Sequence, residues 1–399
     1  MSLSIRSYIT GYLPKIRTSG TKCQKPINNG SYLTWQYPIK INYLLSDQKT
    51  ALGFTLRYSD NRIVSIDHSF MDRFRDIKLV TRCGPEQALL PYADNFNKLE
   101  LLDLHLMQCI LIESHYRCQV PEYARMVRSL LLELYRLFNH FNFFISLANA
   151  VRFTKFGGVS HSCRSIVQPL LQQIQAPQIP GYYFIPGGVN SDLPPGFLER
   201  VIRSLNPLKT GLKYLQDQFR KKTILSDQLE NIGIIGREKA TLWHFSGPNR
   251  RASDRHYQTD STAIDTLNIA SESEELNFRK GTAGDAWHRG WIRLTEVKLS
   301  LNILERLVKQ IFKTDVMLSN PAEISGSSTD FAAHFTSAEG NIKGQISGNA
   351  NEKFFTGKYQ YPVLNVLTHL GSILTGERVS SIGIILSSLN LNPVKYHFH

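Results

Sequence analysis

The side chains whose types and spacing could carry chemistry lie mainly in Val120–His140, which reads VPEYARMVRSLLLELYRLFNH. This stretch holds two guanidinium groups, a carboxylate and an imidazole, from Arg128, Arg136, Glu133 and His140. The last three recur at three- and four-residue steps, so they would be close enough to touch one another on an α-helix. Charged positions opposite an apolar stripe usually face water. The pattern by itself therefore favours a solvated helix flank.

A second polar stripe falls on a helix that apolar spacing predicts from Asp285 to Phe312. Its members follow one another at steps of four, three and four residues: Arg289, Arg293, Glu296 and Ser300. Asp285 is the predicted N-cap, because a carboxylate there accepts hydrogen bonds from the N–H groups of the first turn. The stripe is therefore expected on one side of a capped helix.

His161-Ser162-Cys163 brings together residue types that occur in nucleophilic catalysis. Adjacent residues rarely face one another, so a surface turn is the favoured interpretation. No glycine-rich phosphate loop follows a predicted strand, and neither HExxH nor GxSxG occurs. The sequence thus gives little support to nucleotide binding, zinc hydrolysis or serine esterase chemistry.

Basic and aromatic residues cluster between positions 243 and 257. They are Arg250, Arg251 and Arg255, with Trp243, His244 and Tyr257. Such a mixture can bind RNA, because base stacking adds to phosphate contacts. A solvated basic loop, or a loop that faces an acidic subunit, is favoured over RNA binding.

The composition is that of a globular protein, with 42% hydrophobic and 20% charged residues in 399. The net charge of +13 indicates an anionic neighbour, such as nucleic acid, an acidic subunit or a membrane surface. The five cysteines form no CxxC pair, so we predict no metal site. No apolar run reaches the roughly 18 to 20 residues of a bilayer helix, so we expect no integral membrane segment.

The first 46 residues contain six basic residues and no acidic one. This composition is typical of a mitochondrial presequence. We interpret residues 1–38 as a basic N-terminal arm that is retained, for which encoding in the organelle is one explanation.

The elements that must position the polar residues predict an α+β fold with a mainly helical bundle core. Short β-like runs predict a small antiparallel sheet within residues 39–90, with its first strand at Ile39–Leu45 and a later turn at Asp60-Asn61. Leucine spacing predicts a helix over residues 99–116 that forms an antiparallel hairpin with the helix of Val120–His140. This hairpin is the expected centre of the core.

The helical core is expected over residues 91–318. Further helices are predicted at Arg164–Gln173, after a Gly157-Gly158 break, and at Phe197–Lys222. Residues 319–399 form a divergent, weakly patterned C-terminal region, in which a helix is expected near Val363–Leu374. The sequence does not decide the secondary structure of the apolar segment Ile382–Leu391.

Four blocks resemble the quinone-site subunit of respiratory complex I, the forty-nine-kilodalton type descended from the large subunit of nickel-iron hydrogenases. The helix of Val120–His140 matches the family's arginine, glutamate, and arginine followed by Asn-His. The other matching blocks are LPY at Leu90–Tyr92, PGGVNSDLPPG at Pro186–Gly196, and FSG at Phe245–Gly247 followed by GTAGDAWHRGWIRLTEVKLS from Gly281. Their combined order is more specific than any single block, and the resemblance covers roughly Leu90–Phe312.

The resemblance implies a hydrogenase-like fold and a peripheral place on the matrix side of the mitochondrial inner membrane. It implies that this chain binds no cofactor itself, that ubiquinone lies at its interface, and that the terminal iron–sulfur cluster is carried by a partner. The implied partners are that cluster-bearing subunit, a peripheral-arm neighbour and the membrane-arm quinone-channel subunit, with no nucleic acid. The resemblance also implies a set of polar residues inside the protein, which lie near the cluster or have a structural role: Arg73, Arg128, Glu133, Arg136, His140 and Asp285.

The residues implied at the quinone cavity depart from the family's pattern. Aligning the family's N-terminal loop on Gly53 places Gln48 and Leu52 where two histidines belong. The aspartate that pairs with the second histidine falls near Ala150, and the histidine beside the cluster falls near Pro180. Losing a histidine together with its carboxylate partner avoids a buried unpaired charge.

Tyr92 and Arg73 are the polar groups that remain, Arg73 within Asp72-Arg73-Phe74 where the family has His-Arg-Gly. Quinone reduction needs a proton source within hydrogen-bond reach, so Tyr92 is the predicted catalytic residue and quinone contact. The favoured hypothesis is a complex I subunit that forms part of the quinone cavity. The alternatives are a catalytically silent homologue with a scaffold role in a mitochondrial assembly and an RNA- or ribosome-associated protein.

Overall fold

The structure, a computed structural model, describes residues 33–40, 51–68, 77–81, 101–116, 118–175, 183–221, 224–254, 284–319, 330–349, 354–360 and 362–391. These residues are mostly helical and include small antiparallel sheets, consistent with the predicted α+β class. The hydrogenase-like architecture stays a prediction.

The strands in the described residues pair into three antiparallel sheets, ordered β1-β2-β3, β4-β9-β8-β7 and β5-β6. Their bounds are β1 Leu33–Lys40, β2 Ala51–Ser59, β3 Arg62–His68, β4 Ile77–Thr81, β5 Phe184–Ile185, β6 Gly188–Val189, β7 Asp330–Thr336, β8 Asn341–Asn349 and β9 Phe354–Gln360. The first strand thus begins before the predicted run, whose residues 41–45 lie outside the described ranges. Asp60 and Asn61 join β2 to β3 with φ values of 47° and 62°, a left-handed conformation that these residue types tolerate.

The helices supply most of the hydrophobic core. Their bounds are α1 Leu101–Tyr116, α2 Glu122–Ala150, α3 Thr154–Gln175, α4 Phe197–Arg220, α5 Ile224–Leu229, α6 Arg237–Leu242, α7 Gly247–Ser253, α8 Ala286–Ile311, α9 Pro362–Thr368, α10 Leu370–Leu374 and α11 Ile382–Ser388, with a 3₁₀ turn at Val379–Ser381. Helices α2, α3, α4 and α8 pack against one another, α2 against α3 and α8, and α4 against the same two.

Helix α2 is at the centre of this core. Its predicted apolar stripe is fully buried, as at Val127, Leu130 and Leu134. Near its C-terminal end, Phe144 packs edge-on against Phe156 of α3 with ring centroids 5.9 Å apart. Burial on almost every side explains why a helix of 29 residues begins at Glu122 and continues to Ala150 without a side-chain cap.

Helix α1 does not form the predicted hairpin with α2, since it packs chiefly against β5, β7 and β8. Leu106, Met107 and Leu111 are buried on different sides of this helix. A helix that is apolar around much of its circumference can be enclosed by a sheet as well as by another helix. Leucine spacing therefore predicted the helix but not its neighbours.

Helix α3 runs without interruption through Gly157 and Gly158, so the predicted break is wrong. A Cβ atom at Gly157 would lie 3.1 Å from the Cβ of Ala148, so the glycine permits close packing of α3 on α2. The same helix carries His161 and Cys163, which rules out the predicted surface turn. His161 is exposed and Cys163 is buried, so the two side chains do not form a nucleophile pair.

The C-terminal region is more regular than its composition predicts. Strands β7, β8 and β9 form a sheet that β4 completes, although β4 lies within the predicted N-terminal β region, 39–90. The helix expected near Val363–Leu374 is divided into α9 and α10 around His369. The apolar segment Ile382–Leu391, whose secondary structure the sequence did not decide, begins as helix α11.

Candidate functional site: buried polar clusters around α2 and α8

Arg128, Glu133 and His140 of α2 are buried, so the solvated-flank interpretation is wrong for them. Arg128 is 3% exposed, Glu133 is 5% exposed and His140 is fully buried. They do not form one cluster, because each belongs to a different set of contacts. Spacing along one helix could not predict this division, since most of the partners come from other elements.

Arg128 holds the connection between α3 and α4 against the N-terminal half of α2. Its guanidinium forms a bidentate pair with Glu113 of α1, at 2.6 and 3.1 Å. It also donates to the carbonyl oxygens of Ile185 and Gly188, at 2.7 and 2.8 Å. Glu113 in turn accepts from the N–H of Gly187 at 2.8 Å. The glycines of the PGGV block thus bring backbone groups directly onto an ion pair.

Glu133 and Arg136 form a local pair within α2, with Arg136 Nη1 2.9 Å from Glu133 Oε1. The side chain of Arg136 is 20% exposed, whereas that of Glu133 is 7% exposed. The predicted contact between these two residues is confirmed, but His140 is engaged elsewhere. An i, i+3 pair of this kind stabilises the helix surface modestly.

His140 faces α8. Its Nε2 atom lies 2.8 Å from Glu296 Oε2, without the alignment of a good hydrogen bond, and its Nδ1 atom lies 3.3 Å from Arg293 Nη1. The other oxygen of Glu296, Oε1, accepts from Arg251 of α7, at 2.9 Å from Nε and at a shorter distance from Nη2. Three helices are therefore joined through one carboxylate.

Arg293 extends this network to the C-terminal region. It donates to both carboxylate oxygens of Glu339, at 3.0 and 3.3 Å, and its guanidinium lies 4.4 Å from the ring centroid of Phe143. Glu339 also accepts a short hydrogen bond from the side-chain amide of Asn390. We call His140, Arg251, Arg293, Glu296 and Glu339 the central network.

Burial and charge set the protonation states in the central network. Burial lowers the pKa of His140, and its contact with Glu296 only partly opposes this effect. Burial alone would raise the pKa of Glu296, but the charge of Arg251 and the contact with His140 lower it to about 2. At pH 7 we therefore expect a neutral imidazole beside an ionised carboxylate. Nδ1 faces a donor on Arg293, so the imidazole proton is assigned to Nε2, toward Glu296.

Arg289, one turn earlier on α8, connects this helix to α11 and to the loop before α6. It is 1% exposed and donates to Ser388 Oγ at 2.7 Å and to the carbonyl oxygens of Gly233 and Gly284 at 2.8 and 2.6 Å. Burial lowers its pKa to about 10, which still leaves it charged at pH 7. Ser300, the last member of the stripe, is buried and its Oγ has no hydrogen-bond partner in the described residues.

Asp285 is the N-cap of α8, as predicted. Its Oδ1 atom accepts from the backbone N–H of His288 at 2.8 Å and lies 2.7 Å from the Nδ1 atom of the same residue. Its Oδ2 atom accepts from the N–H of Asn231 at 2.8 Å. Burial alone would raise the pKa of Asp285, but these hydrogen bonds lower it. The residue is therefore an ionised cap that also fixes the preceding loop.

The basic cluster at 250–255 is not a solvated loop where the structure describes it. Arg250 is 8% exposed, donates to Thr241 Oγ1 at 2.6 Å and pairs with Asp254 at 3.2 Å. Arg251 is engaged by Glu296. Both guanidinium groups are thus occupied within the chain, which argues against their binding RNA, while Arg255 and Tyr257 lie outside the described residues.

The comparisons with known proteins agree with the motifs that meet in this network. A model of the family described as "Respiratory-chain NADH dehydrogenase, 49 Kd subunit" matches residues 159–339. An NADH-quinone oxidoreductase subunit from Bacillus mycoides is 24% identical over 309 residues, which are 76% of this chain and 82% of that protein. Its counterpart in Bacillus cytotoxicus is 25% identical over 309 residues, again 76% of this chain and 82% of that protein.

The chain is therefore similar to the 49 kDa subunit of respiratory complex I. The family match begins in α3 and ends at Glu339, so it includes all of α8 and three further members of the central network besides Glu339 itself. Arg251 and Glu296, which are 45 residues apart in sequence, therefore meet in space within the matched region.

Several of the predicted site residues lie outside the described residues: Tyr92, Gln48, Arg73 and Pro180. Leu52 lies in β2, in register with Ile39 of β1. Ala150 is the last residue of α2 and is half-buried. Two residues later, Arg152 has a left-handed backbone conformation with φ 56°. The quinone-cavity assignments thus stay predictions.

Sequence reasoning missed the partners that complete the buried polar clusters. They are Glu113, Asp254, Glu339, Ser388 and Asn390. Glu339 and Asn390 come from the weakly patterned C-terminal region. The sequence did contain one indication of missing acidic partners. Arg289 and Arg293 of α8 have a single acidic residue nearby on the predicted helix, Glu296.

The described part of the chain contains no group of three or more His, Cys, Asp or Glu side chains placed to hold a metal ion. Burial raises the pKa of Cys109 to about 12 and that of Cys163 to about 11, so neither thiol readily becomes a thiolate ligand. Within the same residues, no helix has both the length and the apolar character to cross a bilayer.

Proposed function

We propose that this chain is a core subunit of mitochondrial complex I, the NADH:ubiquinone oxidoreductase, and that it forms part of the quinone-binding cavity. The observation that carries the proposal is the alignment with relatives named as subunits of NADH-quinone oxidoreductase over most of both chains. The central network supports it, because the polar residues of the matched α8 block are engaged in the core rather than lost. The acid-free, basic first 46 residues support the mitochondrial location.

In this proposal the chain provides a wall for the quinone and binds no cofactor of its own. Ubiquinone lies at the interface, and the terminal iron–sulfur cluster is held by the partner subunit that delivers the electrons. Reduction of the quinone takes two electrons and two protons. Tyr92 donates a hydrogen bond to the quinone and can supply one proton, while Gln48, Leu52 and Ala150 line the cavity without acting as acids.

The partners follow from this place. They are the cluster-bearing subunit, a peripheral-arm neighbour and the membrane-arm subunit that carries the quinone channel. Attachment to the matrix side of the inner membrane is then through those subunits. A mass-spectrometric list of the proteins that co-purify with this chain tests the assignment, and a list without NADH dehydrogenase subunits overturns it.

Tyr92→Phe tests the proposed chemistry, because it removes only the phenolic hydroxyl. Losing a general acid typically costs about 100-fold or more in rate, so NADH:quinone activity of the purified complex should fall by about that factor. NADH oxidation with a soluble acceptor that takes electrons upstream of the quinone should be unchanged.

Tyr214→Phe is a matched control, since it also removes one hydroxyl, from α4, where the ring lies 5.6 Å from Lys155 Nζ. Equal quinone activity in the Tyr92 and Tyr214 variants would refute the role of Tyr92. It would leave the place of the chain in the complex intact.

A catalytically silent homologue with a scaffold role is the second candidate, favoured by Ala150 and Leu52. Ala150 is half-buried at the end of α2 and its methyl group cannot pair with a histidine or relay a proton. A scaffold would keep the central network, because this network organises the bundle whether or not electrons pass nearby. An iron–sulfur cluster within electron-tunnelling reach of Tyr92 in the assembled complex favours the catalytic role, and its absence there favours the scaffold.

A further inference from the structure

The sheet formed by β1, β2 and β3 is attached to the rest of the described chain mainly through its third strand. Strand β3 packs against α10, the helix Leu370–Leu374. Ile63, the second residue of β3, is 1% exposed and belongs to a hydrophobic cluster that includes Leu370 and Leu374. Strand β1 lies at the edge of the sheet and, within the described residues, pairs with β2 alone. The position of the whole sheet therefore depends on what holds β3.

Gly376 and Glu377, in the turn after α10, hold the beginning of β3 as a short neighbouring strand would. The backbone N–H of Ile63 donates to the carbonyl oxygen of Glu377 at 2.9 Å, and that of Gly376 donates to the carbonyl oxygen of Ile63 at 2.8 Å. The side chain of Arg62 adds a hydrogen bond to the carbonyl oxygen of Gly376 at 2.7 Å. Gly376 has φ 87°, a left-handed conformation that favours glycine. We call Gly376 and Glu377 the latch.

The side chain of Glu377 connects the latch to the helical core. Its Oε1 atom accepts a hydrogen bond from the backbone N–H of Gly233 at 3.0 Å. The carbonyl oxygen of Gly233 in turn accepts from the buried guanidinium of Arg289, on α8, at 2.8 Å. Strand β3 is thus linked to the core helix α8 through one carboxylate and one glycine.

The opposite end of the same sheet carries Leu52, which the proposed function places at the quinone cavity. Leu52 pairs in register with Ile39 of β1, whereas Ser59, at the other end of β2, pairs with Arg62 of β3. Leu52 and Ser59 are seven residues apart along β2, which corresponds to about 23 Å of strand. Because hydrogen bonds join the strands along their length, a shift of β3 at the latch is carried to the end of the sheet that holds Leu52.

We infer that Glu377 is a positioning residue for quinone binding, because it fixes the sheet that brings Leu52 to the cavity. The inference rests on the proposed function, since it requires that this chain line a quinone site. Apolar packing buries Ile63, but such packing is non-directional. Hydrogen bonds have a preferred angle, so the latch and its carboxylate set the direction in which the sheet leaves the core.

Two substitutions at Glu377 test the inference in the purified complex. Glu377→Gln keeps an acceptor oxygen for the N–H of Gly233, whereas Glu377→Leu has a similar volume and no acceptor. In Glu377→Leu the KM for a short-chain ubiquinone should rise about threefold or more, because the apparent affinity falls with the fraction of molecules whose sheet is in place. In Glu377→Gln the KM should stay close to the wild-type value. The kcat, and NADH oxidation by a soluble acceptor upstream of the quinone, should change little in either variant.

Glu305→Leu is the matched control, because it makes the same change at another partly exposed glutamate. Glu305 pairs with Lys209 and Lys309 and lies about 24 Å along α8 from Arg289, so it is remote from the latch. Its quinone KM should equal that of the wild type. A merely structural role of Glu377 predicts lower kcat and lower soluble-acceptor activity together at an unchanged KM, and this result would overturn the inference.

Hydrogen exchange measures the latch without reference to quinone. In the assembled complex, amides within residues 51–68 should exchange about tenfold faster in Glu377→Leu than in Glu377→Gln or in the control, because the loss of a hydrogen bond to a charged group eases local opening. Amides of α2 should exchange as in the wild type. Unchanged exchange within residues 51–68 overturns the inference, and so does faster exchange with an unaltered quinone KM.

Failure of the proposed function gives a different set of results. A chain that co-purifies with no NADH dehydrogenase subunit, or a wild-type complex without NADH:quinone activity, refutes the proposed function and removes the cavity that Glu377 would position. A complex that reduces quinone with a KM independent of the residue at position 377 refutes only the positioning role.

Discussion

Glu296 should be one of the largest single contributors to the stability of the helical core, and Glu296→Gln tests this. The substitution keeps the size of the side chain and removes the charge that faces Arg251 and His140. Glu296 is 6% exposed, so its partners would not regain water easily. Arg251 would then carry a charge with only an amide opposite it.

Two arguments give the magnitude. Lowering the pKa of Glu296 from 4.5 to about 2 corresponds to roughly 3 kcal/mol of preferential stabilisation of the ionised form in the folded state. Removing one partner from a buried ion pair typically costs about 3 to 5 kcal/mol. We therefore expect Glu296→Gln to lose about 3 kcal/mol of unfolding free energy at pH 7.

Urea unfolding of the purified chain, followed by tryptophan fluorescence, measures this loss. Trp287 and Trp291 stack on each other on the same helix, with ring centroids 5.6 Å apart, and report its environment. The unfolding midpoint should fall by about 1 M. Glu305→Gln is the control, because Glu305 pairs with exposed lysines on the same helix and its neighbour α4, and its loss should change stability by less than about 1 kcal/mol.

The pH dependence has a defined sign. The folded-state pKa of Glu296 lies below its unfolded value, so its contribution is complete above pH 4.5 and is lost as the pH falls toward 2. The difference between wild type and Glu296→Gln should therefore be constant from pH 7 to about 5 and shrink below pH 4.5. If the variant matches the Glu305→Gln control at pH 7, the proposed energetic role of the central network is refuted.

Three further changes test other parts of the fold by the same urea midpoint. Arg128→Met should destabilise the chain by about 3 to 5 kcal/mol, because Glu113 keeps its charge and two backbone carbonyls lose their donor, and Glu113→Gln in the same chain should recover part of the loss. Gly211→Ala should cost about 1 to 3 kcal/mol through its clash with Cys163 Sγ, and an additional Cys163→Ala should relieve it. Asp285→Ala should cost about 1 to 2 kcal/mol as a lost N-cap, with equal midpoints refuting the cap's contribution.

The sequence was informative where the determinants are local. The sequence predicted helices α2, α4 and α8 and the cap at Asp285, whose partner in the structure, His288, is only three residues away. A local rule failed at Gly157-Gly158, because the glycines permit contact with α2 and that neighbour is invisible to propensity.

The sequence predicted the residues that α2 and α8 contribute to the candidate site, but not their partners from other elements. The arginines and the glutamate of α8 were identified as one stripe, but Glu339 lies 46 residues from Arg293 in sequence and Ser388 lies 99 residues from Arg289. No periodicity connects such positions. The burial of the charged residues of α2 was likewise predicted from the family resemblance and not from the spacing of apolar residues. An apolar stripe does not show whether the opposite side of the helix faces water or another helix.

The pairing of β4 with β9 has a consequence for how the chain is made. Ile77 is in register with Tyr359, and Arg62 donates to the carbonyl oxygen of Gly376, 314 residues later. During synthesis β4 leaves the ribosome long before its pairing partner exists, so that edge of β4 stays open until β9 has been translated. Contacts of this sequence separation slow folding. The newborn chain should therefore depend on a chaperone or an early-binding subunit to shield that edge.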